Sequence, residues 1–255
     1  MTPETDGTAE AALRKARATL ESSLGQVDAH FGNLVSRIDT VLETATFVSP
    51  GAALLFSRRV SSSLAELGAR IREAVTEIRR ILDSSTPIFS LIHVGTSWNM
   101  QVLPRLSALV GVARDIRANA LHAWGGEASR AYQEKRWGQR DGLQGLTNVV
   151  KDTSQWLVDV AVLNTTFLTD ITKFVDQLAK DIIEAALEIA TVFGIIEAID
   201  TVAGATARAL DSIVETAREV ARHTEESISM LNQARTILNN NDVFPGGRWP
   251  QAVNR

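Results

Sequence analysis

The sequence Ala123-Trp124-Gly125-Gly126 lies where one pattern of helical spacing ends and the next begins. Glycine adopts positive φ angles without steric cost, so a glycine pair suits a tight reversal between antiparallel helices. A tryptophan beside the glycines can cover the open end of the apolar seam, the stripe along which two helices pack. We therefore predict a helical hairpin that turns at Trp124, Gly125 and Gly126.

Apolar residues recur at alternating steps of three and four before this turn, which is the spacing of helices packed along a seam. They predict one helix from about Ala9 to Thr44 and another from about Val60 to Leu82. Between them, Ser49-Pro50-Gly51 should stop the first helix, because proline cannot continue the hydrogen-bond ladder and glycine permits a reversal. The two helices should form an antiparallel hairpin.

The rest of the chain predicts three further helices. Ser97 is a candidate N-cap for the helix that precedes Trp124. The longest pattern continues to Ile199, with a kink or break expected at Gly138 to Gly145, near Gly194 to Gly204, or at both, since each glycine weakens a helix by up to about 1 kcal/mol relative to alanine. A last helix returns after Gly204 and ends near residue 240.

The predicted fold class is all-α, an elongated antiparallel helical bundle of about five long helices. Hydrophobic residues make up 45% of the chain but aromatic residues only 5%, a composition typical of helices packed along thin seams. In chain order we expect a flexible N-terminus, a helical hairpin, a linker, a second hairpin, an extended helix pair and a flexible tail: 1–8, 9–85, 86–97, 98–165, 166–240 and 241–255.

Composition also limits the function. The formal net charge of −4 and the mixing of arginines with acidic residues argue against nucleic acid as a partner. The absence of cysteine excludes disulfides and thiolate metal sites. The N-terminus has no basic region ahead of an apolar run, so we expect no Sec or Tat signal peptide, and no uncharged apolar run reaches the ~20 residues of a membrane span. Of the 26 basic residues 21 are arginine, a bias that often accompanies a GC-rich, for example actinobacterial, genome.

No catalytic, cofactor-binding or metal site is predicted, and we expect neither an enzyme nor a small-molecule substrate. The histidines stand alone in the sequence, without the spacing of a metal-binding pair: His30, His93, His122 and His223. Asp181, Glu184 and Glu188 share one helical face. We interpret that face as the solvated side of an amphipathic helix, with a cation or acid-base site as the alternative.

The turn at Trp124 and the residues after it resemble the WXG superfamily, the helical-hairpin substrates of type VII (ESX) secretion systems in actinobacteria and Firmicutes. Trp124-Gly125-Gly126 matches the family's Trp-X-Gly turn, and Tyr132 and Trp137 are similar to residues at the start of its second helix. The likeness extends over about residues 98 to 165. With a plain hairpin ahead of it, the chain also resembles fused PE-PPE proteins, whose Pro-Glu is similar to Thr2-Pro3-Glu4.

This resemblance implies a secretion substrate or secretion-associated partner that pairs with another helical-hairpin (WXG or PE-like) protein and contacts the secretion ATPase. Such a protein is cytoplasmic before export and is then secreted, or held at the cell surface, without a signal peptide. The family's export element, Tyr-X-X-X-Asp/Glu, is missing, because Arg136 stands four residues after Tyr132. The partner would have to supply it.

Two other functions remain open at this point. An α-helical pore-forming toxin component would also be a long helical bundle, with the segment from Ile182 to Ala209 as its membrane-inserting part; only this alternative involves membrane contact. Four acidic residues in that segment argue against insertion at neutral pH, since each charge at the bilayer centre costs at least ~2.5 kcal/mol. The third possibility is a structural scaffold in a phage or cell-envelope assembly.

Overall fold

The computed structural model describes residues 4–48, 50–114, 125–240, 244, 248 and 249, without the side chains of 4–7, 46–48, 50–55 and several positions between 226 and 234. Throughout this part of the chain the regular structure is helical, which confirms the all-α fold class. In chain order the helices are α1 (Glu4–Val48), α2 (Pro50–Ser84), α3 (Thr86–Ser97), a π-helical turn (Trp98–Val102), α4 (Leu103–Arg114), α5 (Glu127–Glu188) and α6 (Val192–Leu238).

The chain divides into two compact units. The core unit comprises Ala11–Pro87 and Leu163–Ala221, and the hairpin unit comprises Met1–Glu10, Ile88–Val162 and Arg222–Arg255. Helices α5 and α6 therefore each contribute one part to each unit. Where the sequence predicted a separate helix pair at 166–240, residues 163–221 instead group with the N-terminal hairpin, because Leu168 and Ile171 are fully buried in its core.

In the core unit, α1 and α2 form the predicted antiparallel hairpin. Asp28 lies 3.4 Å from Arg79, and the Arg17 guanidinium donates to the Thr86 hydroxyl at 3.0 Å. Early residues of α1 thus contact late residues of α2, as a reversal between Val48 and Pro50 requires. Position 49 itself lies outside the described residues.

The second reversal of the core unit joins α5 to α6 at residues 189–191. It lies next to Gly194, one of the two places where a break was expected, and the other place is unbroken. Helix α5 continues through Gly138 to Gly145, where packing outweighs the low helix propensity of glycine: Gly142 is buried. Gly204 lies inside α6. The turn is set by Thr191, whose hydroxyl accepts a hydrogen bond from the Gly194 N–H at 3.2 Å and so caps the start of α6.

The segment 86–97, predicted as a linker, is helix α3. Ile88, Ile92 and Gly95 are buried at the i, i+4, i+7 spacing of one helical face, and this packing stabilises a helix that begins at its proline-containing first turn. Ser97 is not an N-cap, because its φ of −59° and ψ of −41° are helical and its side chain makes no capping bond. The π-helical turn follows, and Pro104 is the second residue of α4, just beyond it.

Candidate functional site

The candidate site is a helical hairpin within the hairpin unit. One arm consists of α3, the π-helical turn and α4, and the other is the part of α5 up to Val162. The arms touch at Gly95, where an added Cβ would lie 3.0 Å from the Leu157 Cβ and 3.0 Å from the Ser154 carbonyl oxygen. Near the other end, Ala113 of α4 and Arg136 of α5 line one pocket. In each pair, the midpoint in sequence between the two contacting residues falls at about 124 to 126. Residues equally far from this point on either side therefore lie opposite each other, which means that the two arms are antiparallel.

The turn residues fall partly outside the described chain. Trp124 is not described, whereas Gly125 and Gly126 directly precede the first residue of α5. Gly126 has a φ of +93°, and its carbonyl accepts a hydrogen bond from the Arg130 N–H at 3.3 Å. A Cβ at either glycine would have nothing within 4 Å, so the requirement for glycine at 126 comes from the backbone angle and not from crowding.

The two aromatic residues singled out after the turn lie on different faces of α5. Five positions separate Tyr132 from Trp137, which at 3.6 residues per turn places their side chains more than a quarter turn apart. Tyr132 is half-buried, whereas Trp137 is 49% exposed. The Arg140 guanidinium lies over the Trp137 ring, 4.3 Å from its centroid. Trp137 thus belongs to the surface between α4 and α5.

Sequence reasoning missed the arginines around Trp137. A pocket of about 90 Å³ is lined by Arg114 of α4 and by Arg136 and Arg140 of α5, together with Ala113, Gln133 and Trp137. The spacing of Arg136 and Arg140 is i,i+4, which puts both on one helical face. That spacing was available in the sequence, but the contribution of Arg114 from the other arm requires the hairpin geometry.

The α3–α4 arm leaves apolar side chains uncovered. Within the described residues, the large apolar side chains of this arm that are at least a third exposed are Val94, Trp98, Met100, Leu109 and Val112. In the hairpin unit, the Thr96 hydroxyl and the Trp156 indole N–H are buried without a hydrogen-bond partner among the described residues. The arm therefore presents exposed apolar side chains.

Other kinds of site find little support in the described residues. They include no cluster of three or more histidine, aspartate or glutamate side chains placed to hold a metal ion. Of the acidic residues on α5, Asp181 accepts a hydrogen bond from Gln177 at 2.8 Å and lies 3.7 Å from Arg208, while Glu184 and Glu188 are exposed. None of the described helices combines the length and the apolar character that crossing a membrane demands.

Comparisons with protein-family models, with curated proteins and with solved structures find no match to this chain. The resemblance to the WXG superfamily therefore rests on the residues around Trp124 and on their place in the hairpin.

Proposed function

We propose that the protein is a non-enzymatic substrate or secretion-associated partner of a type VII (ESX) secretion system, and that it acts by pairing of helical hairpins. One observation carries the proposal: Gly125 and Gly126, which follow Trp124 in the sequence, stand at the start of the second of two antiparallel packed arms, and Gly126 has a positive φ. Glycine suits any helix reversal, so the tryptophan directly before this glycine pair is what makes the sequence resemble the family's turn.

The exposed face of the α3–α4 arm supports pairing as the mechanism. A second helical hairpin, WXG-like or PE-like, would cover Leu109 and Val112, which are 51% and 66% exposed. At about 25 cal/mol per Å² of apolar surface, a standard interface of ~1,600 Å² is large enough to hold two hairpins together after the entropy of association is subtracted.

The partner also has an export role in this proposal. Because Arg136 follows Tyr132 at the position where an acidic residue would complete the family's export element, the second protein supplies that element. The secretion ATPase then engages the pair and not the single chain. The protein starts in the cytoplasm and reaches the cell surface or the medium without a signal peptide.

Replacement of Trp124 by alanine tests the family assignment. We expect the Trp124→Ala variant to remain helical by circular dichroism but to be lost from the medium of a host with an intact type VII system. Trp249→Ala, which alters a tryptophan outside both hairpin arms, is the matched control and should be exported normally. Wild-type export of a folded Trp124→Ala variant would refute the assignment.

Partner dependence is tested by measuring size and export together. The protein is sized by light scattering alone and after co-expression with each helical-hairpin protein encoded beside its gene. We expect one of these to form a stable complex and to be required for secretion. A chain that stays monomeric with every candidate and is still exported alone would contradict the proposal.

A second candidate function is that of an α-helical pore-forming toxin component. It is supported by exposed apolar side chains at one turn of the core unit. At the α5–α6 turn, Phe193 is 84% exposed and Leu187 is 68% exposed, within the segment from Ile182 to Ala209. Insertion would require the fully buried Ile189 and Ile195 to leave the core, and Glu188 and Glu197 to enter the bilayer at high cost. Dye release from liposomes by the purified protein would support this function, and its absence would exclude it.

A further inference from the structure

The pocket between α4 and α5 concentrates positive charge in a small volume. Three guanidinium groups, from Arg114, Arg136 and Arg140, line a space of about 90 Å³, and no carboxylate belongs to its described lining. Pockets for drug-sized ligands are roughly 300 to 1,000 Å³, so this one suits a group of only a few atoms. Trp137 and Ala113 complete the wall with apolar surface.

Arg140 is held in place on several sides. Its Nε and Nη2 donate to the Asp141 Oδ1 at 2.9 and 2.7 Å, and its plane lies over the Trp137 ring. Its side chain is only 30% exposed. Asp141 forms an ion pair with Arg140 but does not belong to the described lining of the pocket.

Arg114 is oriented by neutral groups. Its Nη2 donates to the Gln144 Oε1 at 3.3 Å, and the Gln144 Nε2 in turn donates to the Asn148 Oδ1 at 3.1 Å. Among the described residues no carboxylate pairs with Arg114, so its charge is positioned but not compensated. A guanidinium carries five N–H donors, and the bond to Gln144 uses one of them. The remaining donors are available to a ligand.

We propose that this pocket, formed by Arg114, Gln133, Arg136, Trp137 and Arg140, binds an oxyanion, either a phosphate group or a carboxylate. The planar fork of arginine matches both groups in a bidentate manner, and charge-assisted hydrogen bonds of this kind are about twice as strong as neutral ones. The ligand is a free ion or the side chain of a partner protein. The inference does not rest on the secretion role, because this chain alone forms the pocket.

The test follows the indole N–H signal of Trp137 by NMR, assigned with Trp137→Phe, in the full-length protein. Sodium phosphate and sodium acetate are titrated separately, with sodium chloride holding the ionic strength constant. We expect a saturable shift of this signal, while the indole signal of Trp156, which does not line the pocket, stays in place. Tighter binding of phosphate would identify a phosphate ligand, and tighter binding of acetate a carboxylate.

Charge-matched variants separate a pocket from general electrostatic attraction. Arg114→Gln should weaken binding by about tenfold or more, as expected for loss of a charged hydrogen bond. Arg105→Gln removes the same charge from the same helix outside the pocket and should leave the affinity unchanged. Arg140→Gln serves as the second variant if Arg114→Gln does not fold. Absence of a saturable shift with both anions, or equal effects of the pocket variant and Arg105→Gln, would overturn the proposal.

Discussion

The core unit and the hairpin unit are built from similar helices, but they bury their apolar side chains to different extents. The largest fully buried side chains of the described chain all belong to the core unit: Leu13, Leu20, Leu24, Val27, Leu34, Ile38, Ile71, Leu168, Ile171, Ile182, Ile189 and Ile195. Among the described residues, the two buried side-chain polar groups without a hydrogen-bond partner, on Thr96 and Trp156, both belong to the hairpin unit. The same heptad-like spacing can thus produce a closed core or an open face.

The difference in burial between the two units is also found along the single helix α5. Its later part contributes Leu168 and Ile171, which are 1% and 0% exposed, to the core unit. Its earlier part contributes Val149 and Leu157, which retain 8% and 7% exposure, to the hairpin unit. One unbroken helix thus carries side chains of different burial in the two units.

Replacement of Ile71 by aspartate should have the largest effect, because it places an unpaired charge where the side chain is 1% exposed. We expect the free energy of unfolding to fall by about 4 kcal/mol, measured by urea denaturation followed by circular dichroism. The same change at Leu109 of the exposed arm should cost less than about 0.5 kcal/mol. Similar losses at both positions would remove the distinction between the two units.

Truncation of a core leucine should have the next largest effect. Leu168→Ala leaves a cavity in the core unit and should lower the free energy of unfolding by about 3 kcal/mol. Val112→Ala, at a side chain that is 66% exposed, should change it by no more than about 0.5 kcal/mol. A large loss from Val112→Ala in the isolated chain would mean that the α3–α4 face is already covered.

Alanine at Gly95 tests the contact between the arms of the hairpin. Its Cβ would lie 3.0 Å from a backbone oxygen that cannot move aside easily, so Gly95→Ala should destabilise the hairpin unit by about 1–2 kcal/mol. The control is Gly111→Ala on α4, where a Cβ meets nothing within 4 Å and the gain in helix propensity should stabilise by about 0.5–1 kcal/mol. Thermal melts of both variants should show a lower melting temperature for Gly95→Ala and a higher one for Gly111→Ala. A higher melting temperature for Gly95→Ala would show that the arms are further apart.

The smallest effect is expected at the turn. Gly126→Ala forces a side chain into a φ of +93° and should cost about 1 kcal/mol in thermal stability. Gly125→Ala, which has open space and no positive φ, should be nearly neutral. Equal melting temperatures for the two variants would show that the turn does not need glycine at 126.

Much of the fold could be predicted from the sequence, because the a/d spacing and the Pro50 break are local signals. They gave the all-α class and the α1–α2 hairpin. The continuity of α5 through Gly138 to Gly145 could not be predicted in the same way, because these glycines carry low helix propensity that tertiary packing overrides. The break after Glu188 was expected near Gly194. The short helix α3 was missed because Asp83-Ser84-Ser85-Thr86-Pro87 resembles a loop, although Pro87 is acceptable in a first helical turn.

Packing that local sequence signals did not predict is also found near the C-terminus, in the segment predicted as a flexible tail. Phe244 is buried, its N–H donates to the Asn240 carbonyl at 2.7 Å, and its ring centroid lies 6.4 Å from that of Trp249. Phe244 is therefore packed, although the polar and glycine residues around it predicted a flexible segment. At the candidate site, Gly126 could be anticipated from turn chemistry, whereas the Arg114 contribution depends on which arms pack together.

Hydrogen exchange along α5, measured by mass spectrometry on the isolated full-length protein, tests the central claim most directly. If the core unit is closed and the hairpin unit awaits a partner, amides in 163–188 should exchange only through global unfolding, while those in 127–162 should exchange at least about tenfold faster through local opening. Equal protection along the whole of α5 would contradict the account, because the hairpin would then be as stable alone as the core.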